Sequence, residues 1–257
     1  MQTHNANVTR QFDPRASAYL TSAVHARGED LDALAQVIGH QPDATVLDMG
    51  CGGGHVAFRL APAVGRVVAC DLSQPMLDVV AAEAASRGLD NIITKRCAAE
   101  DLPCPDASFD IVATRFSAHH WENVPAALAQ MRRALKEGGT AVFVDVASPG
   151  QPLLDTWLQA FELLRDPSHV RNATPAEWNT ILDKAGFAMT GTQRFKLRLE
   201  FASWVERMKT PALHVEAIRA LQACAGAEVA DYFAIEADGS FTVDVILVAA
   251  TTAPQRA

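Results

Sequence analysis

Val46-Leu47-Asp48-Met49-Gly50-Cys51-Gly52-Gly53-Gly54-His55 runs from a short apolar stretch into a glycine-rich turn and then into a helical pattern. Glycines at 50, 52 and 54 let the backbone turn sharply and approach a ligand closely, because no Cβ intervenes. In open α/β sheets ligands bind outside the carboxyl ends of the strands, where such turns lie. Two cofactor classes compete for this turn. A dinucleotide site asks for G-x-G-x-x-G, with the last glycine allowing close helix packing around a pyrophosphate. Here the sixth position is His55, and the spacing is D-x-G-x-G-x-G with Asp48 inside the first strand. An anion so near the turn disfavours a pyrophosphate and suits a ligand carrying an ammonium and a sulfonium. Asp71 stands 23 residues after Asp48, at the end of a second apolar run. A carboxylate there can accept hydrogen bonds from both ribose hydroxyls, a feature shared with NAD sites.

Working outward, Arg66–Asp71, Asn91–Cys97, Phe109–Thr114 and Thr140–Val146 read as further buried strands. Val56–Ala63, Gln74–Arg87 and Val124–Lys136 read as helices between them. Strands alternating with helices imply right-handed crossovers and a mostly parallel sheet. Residues 1–11 are polar and read as loose, and Phe12 to about Gly39 reads as helical. After Pro149 the rhythm loosens. Leu153–Leu164 and Pro175–Ala185 read as helices, the second capped by Thr174 with Glu177 three residues on. Phe187–Phe201 alternates like a strand, Trp204–Ala230 is helical with a break at Pro211, and Ser240–Ala250 reads as the last strand.

Several further pieces share one order and spacing. They are Asp71-Leu72-Ser73-Gln74-Pro75-Met76-Leu77, Ala99-Glu100-Asp101-Leu102-Pro103, Ser108-Phe109-Asp110 and Leu135-Lys136-Glu137-Gly138-Gly139. With the turn, they make residues 44–147 resemble class I S-adenosylmethionine-dependent methyltransferases, in the ubiquinone/menaquinone-methyltransferase-like branch. The last piece departs from that branch by carrying Glu137 in place of proline.

The resemblance implies roles position by position. Gly50, Cys51 and Gly52 would lie under the methionine part of the cofactor, and Asp48 would hold its amino group. Asp71 would bind the ribose, Leu72 and Met76 would pack on the adenine, and Ala99 and Glu100 would line the adenine edge. Arg115 and Ser117 would close the site over the methionine carboxylate and the methyl group, with Tyr19 in a segment folded over the cofactor. Relatives often carry Asp or Asn where Ala98 stands, so Glu100, Asp101 or the backbone would take the adenine amino group. His119 and His120, just past the fourth strand, lie where the acceptor should sit and are the candidate bases; packing or helix capping is the alternative. His169 and Arg171 read as a surface loop, with an anion-binding role as the lesser reading. Trp157, Trp178 and Trp204 read as core, and Trp121 as a neighbour of the histidines. No third ligand joins the histidines at metal spacing.

The fold expected is α/β: a Rossmann-like, seven-stranded, mostly parallel sheet with helices on both faces, an antiparallel last strand and an N-terminal helical cap. One domain is expected over 1–257, with the cap at 1–40, the cofactor core at 41–150, and substrate-side insertions and final strands at 151–257. The 257 residues carry a formal charge of −8 and no basic run, which argues against a nucleic-acid partner. No apolar run reaches membrane-span length. No signal-peptide core opens the chain, and five cysteines without a C-x-x-C pair fit a reducing compartment, so the expected location is cytoplasmic. Oligomeric state stays open, a homodimer included. Three functions are then in play: methyl transfer from S-adenosylmethionine to oxygen or carbon of a small-molecule acceptor; binding of that cofactor without transfer; and nicotinamide-dependent oxidoreduction.

Overall fold

The structure, a computed structural model, describes residues 3–22 and 26–253. Seven strands form its sheet: β1 (Gln41–Met49), β2 (Val64–Asp71), β3 (Ile92–Arg96), β4 (Phe109–Arg115), β5 (Leu135–Ala147), β6 (Phe187–Leu199) and β7 (Phe241–Thr252). Their order is β3-β2-β1-β4-β5-β7-β6. The first five run parallel, and β7 lies antiparallel between β5 and β6. The chain moves outward from β1 to β3 and then returns to the other side of β1. That reversal opens a crevice at the carboxyl ends of β1 and β4, where ligands of such sheets bind.

The helices are α1 (His4–Phe12), α2 (Ala16–Leu20), α3 (Glu29–Ile38), α4 (His55–Leu60), α5 (Gln74–Ser86), α6 (Val124–Ala134), α7 (Pro152–Arg165), α8 (Pro175–Lys184), α9 (Phe201–Met208), α10 (Ala212–Cys224) and α11 (Ala227–Tyr232). Side chains alternate across a strand, so β1 serves two apolar layers. Val46 packs with Leu34 and Ile38 of α3, while Leu47 and Met49 pack with Leu128 and Met131 of α6. A third cluster joins Leu158 and Phe161 of α7, Trp204 of α9, Ile218 of α10 and Phe241 of β7. Each such fully buried side chain contributes roughly 1.5–3 kcal/mol. Residues after 150 thereby stand on the sheet, with their own core against it.

Three local expectations change. Residues 4–12 are helical, with Thr3 Oγ1 accepting the Ala6 N–H at 3.3 Å as an N-cap. The helical stretch from Phe12 to Gly39 is divided: a 3₁₀ turn at Asp13–Arg15 holds Pro14, α2 follows, and Gly28 precedes α3. Residues 23–25 of that stretch lie outside the described residues. The helix expected to reach Lys136 stops at Ala134, because Leu135 pairs with Phe109 of β4. The capping box at Thr174 and Glu177 forms as read.

Candidate active site

Tyr19, Asp48, Gly50, Cys51, Gly52, Asp71, Leu72, Met76, Ala99, Glu100, Arg115, Ser117, His119 and His120 all border one cavity at the carboxyl ends of the strands, and Asp101 does not. It holds about 1350 Å³ of empty space, its open mouth included.

The turn after β1 is tied to β2. Cys51 N–H donates to Cys70 O at 2.9 Å, and Gly52 N–H donates to Asp71 Oδ2 at 2.9 Å. The Ser73 N–H donates to Asp71 Oδ1 at 2.9 Å. Each oxygen of Asp71 keeps acceptor capacity for a further donor, because an ionised carboxylate offers about four lone-pair sites. Burial pushes the Asp71 carboxyl above its ordinary value. Asp48 lies just beneath, only 1% exposed, and its Oδ2 accepts the Ala57 N–H of α4 at 3.1 Å. Burial, opposed by that hydrogen bond and reinforced by Asp71, pushes Asp48 up to about 7. Gly50 (φ +67°) could not carry a Cβ, which would fall 1.9 Å from Ser117 Oγ. At Gly52 no atom lies within 4 Å of where a Cβ would stand, so the cradle is open there.

Arg115, at the end of β4, forms a buried two-point pair with Asp30 of α3: Nε to Oδ2 at 2.5 Å and Nη2 to Oδ1 at 3.2 Å. Its guanidinium lies 4.4 Å from the Phe116 ring centroid. Ser117 Oγ accepts from the Trp121 indole N–H at 3.1 Å. The N-terminal helices cross the cavity. Tyr19 OH reaches Met208 Sδ at 3.1 Å, Arg15 Nε donates to Met208 O at 2.8 Å, and His4 Nε2 donates to His120 O at 2.9 Å. His55 Nε2 donates to Tyr19 O at 2.9 Å and fastens this cap to the glycine turn.

The two histidines diverge. His119 Nδ1 donates to Asp145 Oδ1 at 2.5 Å, and its backbone N–H donates to Oδ2 at 3.2 Å. Burial disfavours its charge, but the Asp145 carboxylate outweighs burial and holds the imidazole above its ordinary value. Nε2 is left as the basic atom. His120 Nδ1 donates to Ser168 O at 3.1 Å. Burial and the neighbouring His119 push it down to about 4, which makes it a weak base at neutral pH.

The stretch from Asp166 to Arg171 is not the surface loop expected. Asp166, Ser168 and His169 are buried, while Arg171 is exposed and pairs with Asp155 and Glu177. Hydrogen bonds hold part of the segment: Ser168 Oγ donates to Asp166 Oδ1 at 2.6 Å, and His169 Nε2 donates to Gln159 Oε1 at 2.8 Å, while Asp166 Oδ2 and His169 Nδ1 are buried without a hydrogen-bond partner. Burial lowers His169 to about 2, so it stays neutral. Trp178 and Trp204 are core as read, and Trp204 also borders the cavity.

Residues 47–143 match the model of the methyltransferase domain family. The chain is 51% identical over 195 residues to YafE of Escherichia coli (strain K12), spanning 76% of this chain and 94% of that one. It is 35% identical over 201 residues to "Uncharacterized methyltransferase YcgJ" of Bacillus subtilis (strain 168), spanning 78% and 79%. The chain belongs to the methyltransferase domain family. The crystal structure of YcgJ matches this methyltransferase with a TM-score of 0.84 at 31% identity, covering 88% of it and 98% of YcgJ. The geranyl diphosphate C-methyltransferase of Streptomyces coelicolor A3(2) shares the fold at 17% identity, with a TM-score of 0.66 over 98% of each chain.

Among the cavity residues of this methyltransferase that escaped the sequence reading are Glu162, Arg165, Trp204 as a wall, and Arg207. A signal was present for two of them. Leu158, Phe161, Glu162 and Arg165 follow the i, i+3, i+4, i+7 spacing of one buried helix stripe, with two charges in it. Asp145, the partner of His119, stands inside the apolar run Val142–Val146, where a carboxylate is equally out of place.

Proposed function

We propose that this protein transfers a methyl group from S-adenosylmethionine to an oxygen or carbon of a small organic acceptor. One observation carries the reading: a single cavity joins the Gly50–Gly54 turn and Asp71 to the His119–Asp145 pair. The residues present fit the cofactor. The open cradle at Gly52 has no side chain to fill it, and two buried carboxylates suit an ammonium and a ribose rather than a pyrophosphate. Asp71 holds the ribose hydroxyls, Asp48 the amino group, and Leu72, Met76, Ala99 and Glu100 surround the adenine. Gly50 and Cys51 lie beneath the methionine part, which Arg115 and Ser117 close, and Tyr19 covers it.

When bound, S-adenosylmethionine supplies a methyl group already activated by its sulfonium. The protein's own work is to place the acceptor at near-attack distance and to take its proton. His119 is the base. Asp145 fixes its tautomer with the proton on Nδ1, so Nε2 receives the acceptor's proton as the new bond to the methyl group forms. His120 borders the acceptor without serving as base, because its proton affinity is too low.

Titration calorimetry with S-adenosylhomocysteine and with NADPH tests the cofactor. Binding of the first alone is expected; binding of NADPH alone would sink the reading. A labelled-methyl assay over a broad acceptor panel tests transfer. Turnover that falls roughly 10²–10⁴-fold in His119→Ala supports His119 as base. Tight cofactor binding with no turnover on any acceptor would favour a binding protein instead.

A further inference from the structure

The helices after residue 150 bring a second group of charged side chains to the same cavity. Arg165 is the last residue of α7, Glu162 lies one turn earlier, and Arg207 is in the last turn of α9. We propose that Arg165 and Arg207 bind a carboxylate carried by the methyl acceptor, which is therefore an apolar monoanion. This rests on the methyltransferase reading of the cavity and names its substrate class.

Arg207 Nε is buried and has no hydrogen-bond partner, while Nη1 donates to Ser22 Oγ at 3.3 Å and the guanidinium also hydrogen-bonds the Tyr19 side chain. Among the described residues no carboxylate pairs with Arg207. Arg165 Nε donates to the Trp204 carbonyl at 3.0 Å, and its approach to Glu162 is 3.9 Å, beyond hydrogen-bond range. A guanidinium cannot shed its proton, so both stay charged in a buried place. Burial and mutual repulsion already disfavour Arg207's charge. The helix carboxyl ends offset part of that cost. An uncompensated buried charge is destabilising by several kcal/mol. Glu162 faces both arginines and compensates them only in part, so a fold that keeps the two cations beside a cavity holds a site for an anion.

The charge facing the cavity sets the size of that anion. Two guanidiniums meet one carboxylate, Glu162, which leaves one net positive charge. A carboxylate monoanion balances it, whereas a phosphate dianion would overshoot and meet Glu162. Asp166 is also ionised and acts on Arg165, but it does not border the cavity and so adds no carboxylate to the lining. The adjoining walls are apolar: Val146, Leu197, Leu199 and the Trp204 ring, over which Arg165 sits at 5.0 Å. The acceptor thus has an apolar body, an anionic end at the arginines, and a reacting atom near His119.

The test uses the full chain saturated with S-adenosylhomocysteine. Para-hydroxybenzoate and a hydroxynaphthoate are titrated beside their matching carboxamides and beside phenyl phosphate. At least one acid is expected to bind tenfold or more tightly than its amide and than phenyl phosphate. Arg165→Met and Arg207→Met should erase the acid-over-amide preference, Arg207→Lys should restore part of it, and Glu162→Gln should tighten the acid. Equal binding of acid and amide, tighter binding of phenyl phosphate, no binding by any acid, or a preference that survives both Met variants overturns the proposal. The ratio in the unmutated protein decides the matter even where a variant fails to fold. Failure of S-adenosylhomocysteine itself to bind overturns the cofactor reading instead, so the two failures are told apart.

Discussion

Asp71 accepts two backbone N–H groups and still faces the cavity, so it both shapes the glycine turn and offers oxygen to a ligand. Asp71→Ala should weaken S-adenosylhomocysteine binding by roughly 1.5–3 kcal/mol, a charged-hydrogen-bond amount; calorimetry reads this directly, and unchanged affinity removes the ribose role. Asp30 works differently, since from α3 it pairs with Arg115 at the end of β4. Asp30→Ala removes that carboxylate from a buried pair and should cost about 3–5 kcal/mol in urea unfolding; a loss below about 1 kcal/mol would mean that other partners or water take its place. At this scale the sequence was legible where chemistry is local. Asp48, the glycines and Asp71 announce themselves by spacing. Asp30 and Arg207 do not, because their partners Arg115 and Ser22 lie 85 and 185 residues away in the chain.

Among elements, the N-terminal cap depends on the turn it covers. A Cβ on Gly53 would fall 2.9 Å from the backbone of Tyr19 and Leu20. Gly53→Ala should therefore push α2 outward, weakening S-adenosylhomocysteine by about 1–3 kcal/mol. Limited proteolysis near residue 20 should quicken while the thermal midpoint of the sheet holds. Equal proteolysis rates would show that the cap yields without opening. The parallel half of the sheet was readable because its strands are buried on both faces and appear as apolar runs. Helix α1 was not. Its residues are polar, and its fixed points are tertiary: His4 on His120 and Asn7 Nδ2 on Pro167 O at 2.9 Å. The 166–172 stretch misled for the mirror reason, since polar side chains held by a few hydrogen bonds, as Ser168 to Asp166 and His169 to Gln159, can be buried without any apolar signal.

For the whole molecule, Asp48 links folding to pH. Its folded value is raised from 3.8 to about 7, so the folded state holds a proton that the unfolded chain has released across that window. Stability from this group is full below about 4 and declines as pH rises toward 7, by roughly 4 kcal/mol. Asp48→Asn keeps an acceptor for the Ala57 N–H and removes the titration. Its unfolding free energy should gain on the parent's between pH 5 and pH 7.5, as read by urea melts; parallel profiles would show that Asp48 titrates normally. Where Asp48 holds an ammonium, cofactor binding below neutrality should also release a proton, visible as a dependence of binding heat on the buffer.

The strand order leaves β6, 13 residues long, at one margin of the sheet with only β7 beside it. Arg194, Lys196 and Arg198 recur along it at every second residue, all exposed. Long charged side chains in a row blunt that margin, Lys196 and Arg198 paired with Asp244 and Glu236, and the irregular pairing between Met189 and Gly191 bends it out of line. With valine at all three positions, the protein should scatter light on mild heating while its cofactor affinity stays intact. A row of cations that touches no ligand thus keeps separate molecules from joining their sheets end to end.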